Sequence, residues 1–357
     1  MLLLLVLTFV LAFSLSLYGV PVARQAALKY GIVDSPDGQL KHQREPVPYL
    51  GGLAIYLAFL ISLAFTFEFR HDVLGIVLAG TLVLLLGLID DFGVLSPGVK
   101  LIGQFLAVFV LIKSGIRVEI AALPEWMDLA LTVMWMLGVI NAFNLLDIMD
   151  GLAAGVGFVC SACLLTVALL NGDQTLAFML TALAGSLLGF LRYNFRPALI
   201  YMGDAGAMFI GLMLGAVSMI GQYQGSHPLA LLSPAFILGG PLLDTLFVVY
   251  MRLARGVPVF VGSPDHLALR LRRHGFSVPV VVSLLYAVSA LLGGIGLALL
   301  FVEVQLALVL VGLTGLGFIA TILVMKRVDV TVPVPAGATG TAAGAVPGDV
   351  RAGRVPS

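Results

Sequence analysis

VLGIVLAGTLVLLLGLIDDFGVLSPGVK, residues 73–100, decides how this chain folds. Residues 73–89 are apolar without a break, the signature of a helix that crosses hydrocarbon rather than of an alternating barrel strand. The run closes on two adjacent acids, Asp90 and Asp91, and a second apolar run opens at residue 98 with Lys100 near its start.

The same pattern extends outward in both directions. Runs long enough to cross a bilayer fall near 1–20, 49–67, 73–89, 98–113, 126–146, 151–170, 174–191, 205–222, 229–250, 279–301 and 303–325. They predict an all-α polytopic membrane bundle of about eleven transmembrane helices. Composition agrees. Hydrophobic residues are 60% and charged residues 11% of the chain, against about 25% charged in soluble proteins, and mean hydropathy is +1.10. Net charge is zero, so no basic surface points to nucleic acid. Residues 1–20 carry no basic leader and no small-residue cleavage site, and read as a retained first helix. Residues 1–328 form the membrane domain. Residues 329–357, rich in Gly, Ala, Pro and Val without periodicity, read as a disordered tail.

Lys and Arg fix the orientation. With the N-terminus outside and the C-terminus inside, all of the 19 basic residues except Arg70, Lys113 and Arg117 fall on the inner side. Acidic residues took no part in that assignment. They are scarce, 19 in 357 residues, and a carboxylate beside hydrocarbon is expensive. Yet Asp90, Asp91, Asp147, Asp150, Asp204 and Asp265 all land on the same inner face. Such recurrence points to a divalent cation, a phosphate reaction or a proton path.

Each motif admits a specific chemistry. Adjacent acids at a helix end point about 100° apart, so one of Asp90 and Asp91 can bind metal while the other accepts a proton. Their place at a helix C-terminus is electrostatically unfavourable, a conflict that a nearby cation removes. Lys100 either reaches a phosphate or anchors the topology. In NAFNLLDIMDGL, residues 141–152, Asn141, Asn144, Asp147 and Asp150 follow at three-residue steps along one slowly rotating helix face. Those groups must face protein or water, and their oxygens suit Mg²⁺ or Mn²⁺ rather than Zn²⁺. In RYNFRPALIYMGDAGAMFIG, residues 192–211, Asp204 opens a helix between Gly203 and Gly206, at the end that favours an acid. GIVDSPDGQLKHQREPVPYLGG, residues 31–52, is a polar turn-rich loop or a phosphate-binding loop carrying Lys41 and His42. GSPDHLALRLRRHGFS, residues 262–277, either lies on the membrane or recognises phosphate through His266 and Arg270. Asp244, inside a helix, reads as a buried structural partner, and Cys160 and Cys163 as small apolar filler.

The ordered series D-x-P, K-H, P-x-P-x-x-G-G, D-D, N-A-x-N-x-x-D-x-x-D-G-L, M-G-D-x-G and D-H-x-x-x-R-L resembles the polyprenyl-phosphate N-acetylhexosamine-1-phosphate transferases, over about residues 1–325. The resemblance implies a Mg²⁺-dependent enzyme of the bacterial inner (plasma) membrane with a cytoplasmic active site. It would pass a sugar-1-phosphate, GlcNAc-1-phosphate above all, from a UDP-sugar to undecaprenyl phosphate and release UMP, as the first membrane step of a cell-surface glycan. It implies that Asp90 orients or deprotonates the lipid phosphate, with Asp91 beside it near the metal. Asn144 and Asp204 are then the Mg²⁺ ligands, with Mn²⁺ as a substitute. Asp147 and Asp150 shape the nucleotide and metal site, and Lys100, His266 and Arg270 hold the diphosphate. A homodimer is compatible with this reading. Two departures stand out. Ile148 takes a place that is commonly Gly in the family, and His266–Leu271 replaces the usual H-x-H-H-R-L. Other readings are another UDP-N-acetylhexosamine as donor, a homologue that only binds lipid phosphate, an intramembrane aspartyl protease and an ion-coupled transporter. A protease would need G-x-G-D where Tyr201-Met202-Gly203-Asp204 stands. A transporter would need its acids near mid-membrane.

Overall fold

The computed structural model describes residues 1–34, 46–67, 71–93, 95–223, 227–258, 264–328 and 330. Lys41, His42 and all of the expected tail except Val330 lie outside these residues.

The described fold is all-α but for one short antiparallel ribbon, β1 (Val33–Asp34) on β2 (Val47–Pro48), with Val33 opposite Pro48. The helices run α1 (Leu2–Tyr30), α2 (Gly51–Thr66), α3 (His71–Asp91), α4 (Pro97–Lys113), α5 (Glu125–Leu146), α6 (Leu152–Leu170), α7 (Gln174–Asn194) and α8 (Gly203–Ile220). A 3₁₀ turn (Pro228–Leu232) leads to α9 (Ser233–Ile237), α10 (Gly239–Ala254), α11 (Leu267–Arg273), α12 (Val278–Ala298) and α13 (Val304–Met325). Each predicted apolar run is helical. Among the described residues eight helices are long and apolar enough to cross a membrane, or nine if the bent pair below is one span, and α2 is a shorter apolar helix. Large apolar side chains such as Phe65, Ile102 and Leu316 point outward, as a bundle solvated by lipid requires.

The run 229–250 is the one that differs from expectation. It is bent by 79° between its 3₁₀–α9 half and α10. The Gly239-Gly240 pair stands at the break. The Cys160 thiol donates to the carbonyl of Ile237 across 3.2 Å, satisfying a backbone group beside the break. Cys160 is therefore more than filler, although both cysteines are free thiols.

Helix α8 is the axis. It is buried along nearly its whole length and packs on α2, α3, α5 and α6. Glycine permits this closeness. A Cβ on Gly52 would lie 2.3 Å from the Gly206 nitrogen, and one on Gly87 would lie 2.3 Å from the Ala205 Cα. Lipid supplies no hydrophobic force between spans, so such backbone contact is how they associate. Gly52→Ala is expected to lower stability by about 1–3 kcal/mol, the usual range for overpacking. Gly19→Ala, whose Cβ meets nothing within 4 Å, should be neutral or mildly stabilising. Thermal unfolding of both variants in detergent checks the pair, and equal behaviour would contradict the glycine contact.

Candidate active site

The α3–α8 contact carries the acids of α3 onto the start of α8. Gly203 has φ +69°, and a Cβ there would lie 2.4 Å from an Asp91 oxygen, so the position needs glycine on both counts. Across this gap Asp91 accepts the backbone N–H of Asp204 at 2.7 Å and that of Ala205 at 3.5 Å. Asp91 is thus a cap for α8 supplied by another helix. The two acids at the C-terminus of α3 escape their unfavourable dipole in two ways. Asp91 meets the positive end of α8, and Asp90 meets an ammonium.

That ammonium belongs to Lys100. Ser96 caps α4, accepting from the Val99 N–H, and Pro97 starts the helix. This sets Lys100 in the first turn, aimed at α3, α5 and α8. Its Nζ lies 2.7 Å from an Asp90 oxygen, pairs with Asp204, and donates to the Asn144 Oδ1 at 3.1 Å. The Asn144 amide and the Asp90 carboxyl both stand close enough to Asp204 to act on its charge. Lys100 is therefore the centre of the cluster, not a distant topology anchor.

Helix α5 ends at Leu146, so the series Asn141–Asp150 does not keep to one helix face. Asn141 turns to Gln104, Asn144 joins the cluster, Asp147 is the C-cap, and Asp150 passes into the following turn. Burial pushes the Asp147 carboxyl up to about 8, with the carboxylates of Asp204, Asp91 and Asp150 adding to the shift. Asp150 instead accepts the Ala198 N–H at 3.2 Å and steadies the loop between α7 and α8. Asn194 reinforces that loop. It accepts from the Gly151 N–H and donates to the Ile200 carbonyl, both at 3.0 Å, while the Tyr286 hydroxyl donates to the Gly151 carbonyl at 2.5 Å. Sequence reading missed Gln104, Asn194 and Tyr286. The only signal for Asn194 was a polar residue closing an apolar run.

His266 and Arg270 form a separate group with Asp244 and Asp265. His266 Nδ1 lies 2.8 Å from Asp244, which also accepts the Leu267 N–H at 2.9 Å and so caps α11. Arg270 is fully buried. It pairs with Asp265 at 2.6 Å, donates to the Met325 and Val328 carbonyls at the end of α13, and lies over the Phe247 ring. Arg255 pairs with Asp265 as well, at 2.7 Å. The expectation that Arg270 holds a diphosphate meets a guanidinium already engaged and shut away from solvent. The expectation of a structural Asp244 agrees with its bonds, with His266 as partner in place of an arginine.

A model of glycosyl transferase family 4 matches residues 73–222, the segment that contributes Asp90, Asp91, Lys100, Asn144, Asp147, Asp150 and Asp204. The chain is 31% identical over 293 residues to a probable undecaprenyl-phosphate N-acetylglucosaminyl 1-phosphate transferase of Bacillus subtilis, covering 78% of this chain and 82% of that one. It belongs to the polyprenyl-phosphate N-acetylhexosamine-1-phosphate transferase family. Within the family it is 34% identical over 301 residues to a decaprenyl-phosphate N-acetylglucosaminephosphotransferase of Mycolicibacterium smegmatis, covering 74% of each chain. It is 33% identical over 296 residues to a phospho-N-acetylmuramoyl-pentapeptide-transferase of Halalkalibacterium halodurans, covering 74% of this chain and 87% of that one. This family member is a multi-pass membrane glycosyl-1-phosphate transferase, which removes the protease and transporter readings.

Proposed function

We propose that the chain transfers GlcNAc-1-phosphate from UDP-GlcNAc to a polyprenyl phosphate, releasing UMP, with Mg²⁺ at the cytoplasmic face of the bacterial plasma membrane. The observation that carries this reading is the meeting of Asp90, Asn144 and Asp204, from three helices, on the Lys100 ammonium. Joining two phosphates means bringing like charges together, and a fixed cation inside a polar pocket lowers that barrier. Asp90 takes the proton of the lipid phosphate or orients its oxygen. Lys100 holds a diphosphate oxygen, and Asp147 and Asp150 shape the nucleotide side. Arg270 and Asp265 position the last inner loop rather than touch substrate. An apolar cavity of about 500 Å³, reaching from Leu146 past Asp244 to Phe318, offers room for isoprene units. The inner-side bias of Lys and Arg supports the cytoplasmic face, with the N-terminus outside and the C-terminus inside.

The donor set fits a hard divalent ion. Asp90, Asp204 and Asn144 offer oxygen, and the described contacts of Asp90 and Asp204 supply one ammonium between them. Among the described residues no three carboxylate, imidazole or thiol groups stand close enough to cage a metal. That suits Mg²⁺, which is usually held by one or two carboxylates with phosphate oxygens and water completing its shell. When bound, Mg²⁺ would neutralise phosphate charge as it develops.

A second donor, the UDP-N-acetylmuramoyl-pentapeptide, is favoured by the 33% identity to the Halalkalibacterium halodurans relative, which lies between the 31% and 34% to the two GlcNAc enzymes. The deciding assay incubates purified protein with undecaprenyl phosphate, Mg²⁺ and single UDP-sugars, and measures UMP. UDP-GlcNAc is expected to give turnover that EDTA abolishes and Mg²⁺ or Mn²⁺ restores. Turnover with the pentapeptide donor alone would replace the sugar assignment. Lipid binding without any UMP release would replace the catalytic one.

A further inference from the structure

One helical turn beneath Lys100, three of the four helices that build the cluster meet a second time. Lys100, Asn144 and Asp204 come from α4, α5 and α8. Four residues on from Lys100 stands Gln104, three back from Asn144 stands Asn141, and four on from Asp204 stands Met208. These spacings are one turn each, so the three residues form a layer parallel to the first. The layer is bonded throughout. Gln104 Nε2 donates to Asn141 Oδ1 at 3.3 Å, Asn141 Nδ2 donates to Gln104 Oε1 at 2.8 Å, and Gln104 Nε2 lies 3.3 Å from the Met208 sulfur. Asn141 Nδ2 also donates to the Leu137 carbonyl of its own helix at 2.8 Å, which fixes the side-chain direction. Gln104 is 1% exposed.

We infer that the Gln104–Asn141 amide pair is a positioning device for the transferase reaction, setting the register of α4 against α5 so that Lys100 reaches Asp204 and Asn144 together. The inference rests on the proposed function. Its physical basis is that a reciprocal amide pair has one satisfying alignment, whereas apolar side chains slide. A slip of α4 along α5 takes the buried Gln104 amide away from Asn141 and leaves it unpaired. Lys100 has a flexible stem and cannot set its own position. The amide layer supplies the rigidity that a first turn with a single serine cap lacks, and neither amide needs to touch substrate.

The test compares wild type, Gln104→Met, which keeps an unbranched chain of similar volume, and the exchange Gln104→Asn/Asn141→Gln, which restores the pair in reverse. Two readouts are taken: steady-state UMP release, and acylation of Lys100 by an amine reagent in purified protein, followed by peptide mass spectrometry. In Gln104→Met, kcat is expected to fall about tenfold to a hundredfold, as for a small misplacement of a catalytic group. The KM for each substrate should stay within about threefold, because substrate contacts are untouched. Lys100 acylation should rise several-fold, since its ion pairs loosen. The exchange should return both readouts towards wild type. Should Gln104→Met fail to assemble, Asn141→Ser removes the same pair from α5 and carries the same expectations. Unchanged kcat, unchanged acylation, or an exchange variant no better than the single ones overturns the positioning role. Acylation is measured without turnover. A wild type that releases no UMP while the acylation pattern holds would therefore count against the transferase assignment and not against the register.

Discussion

Lys100→Met is expected to abolish turnover, with a loss of about a thousandfold or more, as for removing a preorganised charge from a phosphoryl-transfer site. The ammonium lies 2.7 Å from Asp90, pairs with Asp204, and donates to Asn144 at 3.1 Å, so one substitution unties three groups at once. Methionine keeps the stem and its packing and loses the charge. Asp90 and Asp204 are then left in mutual contact with no cation between them. They must separate or share a proton, and neither state presents the geometry that a lipid phosphate needs. Lys100→Arg is expected to rescue less than about a tenth of the activity, because a planar guanidinium needs a wider, forked site than a compact point charge. The cluster is partly open, with Lys100 and Asp204 side chains 16% and 37% exposed. Stability should therefore fall by no more than about 1–3 kcal/mol. UMP release together with a thermal melt of the same preparation separates the two effects. Near-normal turnover in Lys100→Met would remove Lys100 from the reaction.

Much of this could be read from the chain, and the remainder has physical reasons for being hidden. Apolar runs reveal helices because hydrocarbon forces every backbone group to bond within its own segment. The break at residues 229–250 was masked because its halves are both apolar, although Gly239-Gly240 stood inside it. Asp90, Asp91, Asn144 and Asp204 were legible as expensive groups at one face. What they touch was not. The capping of α8 by Asp91 depends on the fit of Gly87 and Gly203 between two helices far apart in sequence. Asp147 and Asp150 keep the three-residue spacing of Asn141 and Asn144 although α5 ends at Leu146. Arg270 looked like a phosphate ligand because arginine in a basic loop usually is one. Only packing reveals that it lies inside, tying Asp265 to the end of α13. Gln104 gave no signal, since one amide in an apolar run does not announce a partner.

Asp90 and Asp91 are neighbours, and their substitution should give opposite phenotypes. Asp90 is 2.7 Å from Lys100 and makes no described bond to the backbone of another helix. Asp90→Asn therefore removes a charge and a proton acceptor while the fold keeps its ties. Turnover is expected to fall about a thousandfold or more, with an unfolding temperature close to wild type. Asp91 spends both oxygens on the first N–H groups of α8, at Asp204 and Ala205. Asp91→Leu strands those donors between two packed helices and sets an apolar chain against Gly203, in the space that the Asp91 carboxylate fills. Stability should drop by about 1–3 kcal/mol from the unsatisfied groups alone, and activity should fall because Asp204 moves with the end of its helix. Asp91→Asn retains one acceptor oxygen and should lie between wild type and Asp91→Leu in its melt, which a purely chemical role would not produce. Measured side by side in one detergent, two variants that lose activity with identical melts would show that Asp91 acts on substrate and does not hold α8. A melt lowered by Asp90→Asn as much as by Asp91→Leu would show that Asp90, too, is part of the scaffold, and the division of labour between the two acids would have to be withdrawn.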